Sequence, residues 1–132
     1  MTEALIGINV VITAFVDNYQ PGIVGCEFTD MDGRLRYFTI KFYDVSDDDL
    51  GPESDYPRPG VLGCEVISRT NDEAGREIAE IETDMPSQDG EDRFRVFADQ
   101  LTTQVTQAFI SRRERKIIPL IPVTLVTGVK KT

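Results

Sequence analysis

The chain is predicted to be mainly β (α+β): an antiparallel sheet, curled or closed into a small β-barrel of five to seven strands, with one C-terminal helix and an extended C-terminal arm. Three observations carry this. Apolar and polar residues alternate through most of the first 97 positions, turn residues interrupt the alternation at hairpin spacing, and after residue 99 the apolar period lengthens to that of a helix. With 132 residues and 40% hydrophobic content, the chain can bury one core as a single domain. Its expected parts are a sheet core over 5–97, a helix over 99–115, an arm over 117–126 and a basic tail over 128–132.

Residues 5–16 place Ile6, Ile8, Val10, Ile12, Ala14 and Val16 on one face and Gly7, Asn9 and Thr13 on the other, the pattern of a long half-buried strand. In residues 23–29, Val24, Cys26 and Phe28 point inward and Gly25 and Glu27 outward. Residues 35–43 group Phe38, Ile40 and Phe42, and Asp32-Gly33 closes the two segments into a hairpin. Residues 44–60 form a polar, proline-rich connection with room for one helical turn capped by Ser46. Residues 61–68 follow with Leu62, Cys64 and Val66 inward. A looser turn over 71–75 leads to a strand over 77–83, and a polar loop over 87–92 leads to a strand containing Phe94 and Val96.

From residue 100, Leu101, Val105, Ala108 and Phe109 recur at helical spacing, and Arg112, Arg113, Arg115 and Lys116 close the segment where a helix dipole favours cations. Residues 117–126 are β-branched and broken by Pro119 and Pro122, which confine them to an edge or an arm able to join a neighbour's sheet in a homo-oligomer. That run is too short to span a bilayer, and the apolar start lacks the basic region of a signal peptide. A cytoplasmic protein with reduced thiols at Cys26 and Cys64 is expected.

Pro21-Gly22-Ile23-Val24-Gly25-Cys26-Glu27 returns as Pro59-Gly60-Val61-Leu62-Gly63-Cys64-Glu65. Each part has a structural reason: Pro-Gly ends a loop, the aliphatic pair starts a strand, the cysteine packs as a small hydrophobe and the outward glycine admits a close neighbour. These phrases, with Asp30-Met31-Asp32-Gly33-Arg34 and Tyr56-Pro57-Arg58, resemble a family of small acidic bacterial proteins that share them. The resemblance covers roughly residues 10–84, implies no activity, and gives nothing for the chain past Met85-Pro86.

Chemistry is bounded by absences. There is no histidine, which removes the usual general base, the Ser-His and Cys-His pairs and imidazole metal ligation. Neither a P-loop nor a dinucleotide-binding glycine motif is present. No catalytic residue, metal site or cofactor is expected. Asp30-Met31-Asp32-Gly33 and Asp47-Asp48-Asp49 lack the spacing of a calcium loop and are expected to be turn chemistry and a solvated acidic loop.

Charge supplies the functional expectation. The net charge is −9, and it is uneven: the first 111 residues hold eight basic against 22 acidic side chains, whereas the last 21 hold six basic and one acidic. Such a surface repels nucleic acid and anionic membranes and suits a basic protein partner. The leading expectation is therefore a non-catalytic protein-binding module, a toxin-neutralising immunity protein being its most concrete form. Asp44, Asp47, Asp48, Asp49, Glu53 and Asp55 on the linker, with Glu27 and Glu65, are its candidate contacts. The alternatives are a small β-barrel ligand binder or enzyme that pairs Glu27 with Glu65 in the barrel mouth, and a structural subunit of a homo-oligomer.

Overall fold

The computed structural model describes residues 5–17 and 22–117. Its strands are β1 Ile6–Asp17, β2 Ile23–Thr29, β3 Leu35–Lys41, β4 Arg58–Asn71, β5 Glu77–Thr83, β6 Arg93–Phe97 and the two-residue β7 Leu101–Thr102, followed by the helix α1 Gln107–Ile117. All pairings are antiparallel, in the order β3-β2-β1-β4-β5-β6, with β7 also on β1. The repeated phrases thus lie on β2 and β4, the two strands that flank β1.

The sheet is curled so that its ends meet. β3 and β6 are the last strands at opposite ends of the order, yet Phe38 and Phe94 lie 6.0 Å apart, and Phe28 contacts both at 5.8 and 5.3 Å. Such offset and edge-on pairs contribute beyond simple area burial. The Met31 amide bonds to Arg95 and the Gln88 amide to Tyr37, at 2.9 and 2.8 Å, tying the β2–β3 hairpin to the other end of the sheet. Inside lies one apolar core that includes Ile8, Ile12, Val24, Cys26, Leu62, Cys64, Ile81 and Val96.

Three connections use one turn chemistry. In Asp30-Met31-Asp32-Gly33-Arg34 and Asp72-Glu73-Ala74-Gly75-Arg76, the aspartate carboxylate accepts the amides two and four residues on, at 2.8–2.9 Å. Ser87 to Glu91 closes through the same backbone bonds, Gly90 to Ser87 and Ser87 to Glu91. Gly33, Gly75 and Gly90 each sit at φ between 83° and 89°, which a side chain resists. The turn over 71–75 is therefore not looser than the first; it is the same bulged turn.

Several expectations need correction. β1 does not keep one face: its register slips between Ile12 and Ala14, so Ala14 and Val16 turn outward and Phe15 packs on the core. A bulge inserts one residue and inverts every later side chain. β4 starts at Arg58, so Arg58-Pro59-Gly60 belongs to the strand instead of the loop. The helix starts at Gln107 instead of residue 99, because Ala98–Gln100 form a 3-10 turn and Leu101–Thr102 pair with Ile8 and Gly7. The helical turn after β3 is Phe42–Asp44, ahead of Ser46, whose hydroxyl instead accepts the Asp48 amide at 3.0 Å. Ile117 ends α1, and the rest of the expected arm and the basic tail lie outside the described residues.

α1 packs on the outer face of the sheet, where Gly63 of β4 leaves a dent for Phe109 and its pairing partner Gly7 of β1 lies against Val61 and Val105. A Cβ on Gly63 would stand 2.2 Å from that ring, and Phe109 is buried. Gly25, the matching glycine of the other phrase, makes room for Tyr37.

Candidate functional site: the acidic linker and the adjoining cleft

The linker joining β3 to β4 is built from the inside outward. Val45 and Leu50 are buried in the core and Tyr56 packs against it. The Val61 amide bonds to Val45 at 2.9 Å, the Tyr56 hydroxyl donates to Gly51 at 2.8 Å, and Ser54 and Gly51 bond to each other twice, at 3.0 and 3.1 Å. These bonds give an acidic segment a fixed path.

Its carboxylates divide into two sets. Asp44 is buried and takes a charge-assisted bond from Arg112 of α1. Asp47 accepts the Gln107 amide at 2.8 Å, satisfying a donor at the start of α1 that the helix itself leaves unpaired. Asp48 pairs with Arg58 at 2.7 Å. The other three, Asp49, Glu53 and Asp55, are exposed and have no cation within ion-pair distance among the described residues.

Glu27 and Glu65 are not brought together. Glu27 lies opposite Val11 and Tyr37, while Glu65 lies opposite Glu82 and accepts a bond from Arg113 at 2.8 Å. The neighbouring cysteines mark the separation: Cys26 pairs with Ile12 and Cys64 with Ile6, six residues apart on opposite sides of β1, or about 20 Å along the strand. No shared acid-base site forms from the two glutamates. Both thiols are free and buried, and burial pushes each up to about 12, helped by Glu27 at Cys26 and by Asp84 at Cys64. A thiol held in that range is protonated at neutral pH and is neither nucleophile nor ligand.

Two arginine networks organise the ends of the sheet. Arg36, on the inner face of β3, is buried and donates to Asp30 at 2.9 Å and to Glu91 at 2.7 Å, with Phe94 beneath its guanidinium. Burial alone would raise the Asp30 carboxyl; the Arg34 amide, the Arg36 guanidinium and the Asp32 amide outweigh it and hold it below its ordinary value. At α1, Arg112 joins Asp44 to Asp84, and Arg113 joins Asp84 to Glu65 while lying over Phe109. Burial would lower the Arg112 pKa, but Asp44 and Asp84 overcome it and keep the guanidinium charged. Sequence reasoning missed Arg36 as a buried residue, although its alternation with Phe38 and Ile40 was the available signal.

Beside the linker, a cleft of about 670 Å³ opens between the end of β3 and α1, lined by Ile23, Ile40, Lys41, Tyr43, Met85 and Ala108 among others. Its volume falls in the range of small binding sites. Among the described residues, no three Cys, Asp or Glu side chains converge as metal ligands, and no helix is long and apolar enough to cross a membrane. Comparison with protein-family models, curated proteins and solved structures finds no match.

Proposed function

We propose that this protein is a non-catalytic binding module whose acidic linker engages a basic protein partner, a toxin-neutralising immunity protein being the most concrete case. The observation that carries the proposal is the outward set Asp49, Glu53 and Asp55 on a segment already fixed by Leu50, Tyr56 and the bonds of Asp44, Asp47 and Asp48 to the rest of the chain. Ordering a floppy acidic loop would cost free energy on binding, whereas this one is ordered beforehand. Asp49, Glu53 and Asp55 repel one another without a cation among the described residues to relieve them, so a cationic surface gains both steering and contact energy there. The buried, protonated thiols and the separated glutamates leave binding as the chemistry in best supply, and free thiols suit a reducing cytoplasm.

The test is capture of a partner from the native host on the immobilised chain, followed by elution with salt. Release of a basic protein over the range in which the Debye length shortens from about 30 to 10 Å supports the proposal. A partner that holds on unchanged through that range contradicts it. A toxin-like reading frame directly upstream would support the immunity form in particular.

A further inference from the structure

We propose that the cleft between β3 and α1 docks an extended peptide from a partner protein, which adds to the sheet as a strand along β3 and carries aliphatic residues at alternate positions with one carboxylate for Lys41. The backbone makes the edge. The Tyr37 carbonyl accepts from the Gln88 amide on the side of β3 away from β2, while the Phe42 amide bonds to Gly22 on the β2 side. Strand groups alternate between sides, so the N–H and C=O of Thr39 and Lys41 point away from β2 as those of Tyr37 do. The Lys41 carbonyl caps the 3-10 turn Phe42–Asp44, and the other three groups, the Thr39 N–H and C=O and the Lys41 N–H, have no partner among the described residues.

The segment that bonds to β3 at Tyr37 makes no backbone bond to Thr39. Beyond it stand Met85 and Pro86 on one wall and Ala108 and Ser111 of α1 on the other. A lysine on an edge strand is a common guard against unwanted pairing, and Lys41 by itself would be explained that way. A guarded edge has no need of apolar walls, however, and this one has Ile23, Ile40 and Met85 beside it. A small molecule would fill the walls and leave three backbone groups unmet; a strand satisfies both. The charge fits as well. Asp44, the carboxylate lining the cleft, is held by Arg112, so the Lys41 ammonium stands without a carboxylate among the described residues of a chain that is −9 overall. In strand addition the backbone supplies affinity and the pocket beside it selects side chains. Residues next to Ile40 would be aliphatic, and the one next to Lys41 acidic.

This site does not rest on the acidic-linker proposal, and a nearly neutral probe separates the two. The probe is the acetylated, amidated pentapeptide Val-Thr-Val-Glu-Val, titrated into the nitrogen-15-labelled full chain. The Thr39 and Lys41 amides should shift and become protected from hydrogen exchange, and N-methylation of the peptide's edge-facing amides should weaken binding about tenfold. Lys41→Glu should weaken binding and regain it when the peptide's glutamate is exchanged for lysine. Ala108→Trp should close the cleft and abolish binding. Equal binding of the N-methylated peptide, or shifts confined to residues far from 39–41, overturns the proposal. So does a chain that binds no peptide and whose Thr39 and Lys41 amides are already protected, since residues 118–132 or a second copy would then hold the edge.

Discussion

At the residue scale, the two outward glycines of the repeated phrase carry different costs. A methyl on Gly63 would meet the buried Phe109 ring at 2.2 Å, and that ring is held between the sheet and Arg113. A methyl on Gly25 would meet the Tyr37 hydroxyl at 2.0 Å, but Tyr37 is only half-buried and its far end can swing aside. Gly63→Ala should therefore lose about 1–3 kcal/mol by overpacking, and Gly25→Ala markedly less, read as a difference in urea midpoints at constant slope. The cysteines give a second expectation. With both thiols buried and pushed to about 12, alkylation of the folded chain at pH 8 should be slow and should become rapid only in denaturant. Rapid labelling of either thiol in the native chain would show that its burial is misjudged.

At the scale of elements, ion pairs join segments that the sheet ladder does not. Asp30, Arg36 and Glu91 connect the β2–β3 hairpin to the β5–β6 connection. The depressed folded-state pKa of Asp30 means that the unfolded chain binds its proton more readily. This contribution to stability is thus complete above the unfolded carboxylate value near 4 and is lost as pH falls through the lower folded value. Asp30→Asn should lower stability at neutral pH and flatten its fall in acid; an unchanged acid limb would contradict the assignment. At α1, Arg112→Ala leaves Asp44 buried without its partner. The loss should lie toward the lower end of about 3–5 kcal/mol, since the Arg112 side chain keeps 26% exposure.

The same scale shows what the residue pattern could tell. Period-two alternation located β2, β3 and β6, because each keeps one face inward throughout, whereas β5 is placed by its position after the 71–75 turn and buries the adjacent Ile78 and Ala79. It failed on β1 beyond Ile12, where a bulge resets the faces, and at residues 99–106, where apolar spacing suited a helix but Leu101 and Thr102 found ladder partners on β1. Asp44 read as one more solvated acid because its partner, Arg112, is 68 residues away in sequence. Long-range pairing of that kind leaves no local trace. Arg36 and Asp30 are only six residues apart on one hairpin and were legible in principle.

At the scale of the whole molecule, the acidic excess separates into charge used within the fold and charge presented outward. Asp44, Asp47 and Asp48 hold the linker and α1 in place, which leaves Asp49, Glu53 and Asp55 as its outward carboxylates without a cation among the described residues. The most direct test of their role is the association rate of the variant Asp49→Asn, Glu53→Gln, Asp55→Asn with the partner captured from the host, measured by stopped flow at low salt. Removing three charges from a steering surface should slow association by about tenfold while thermal stability stays level or rises, and the gap from the parent chain should narrow as salt is added. An association rate equal to that of the parent chain at low salt would contradict the proposal that the fixed acidic linker is the surface that meets the partner.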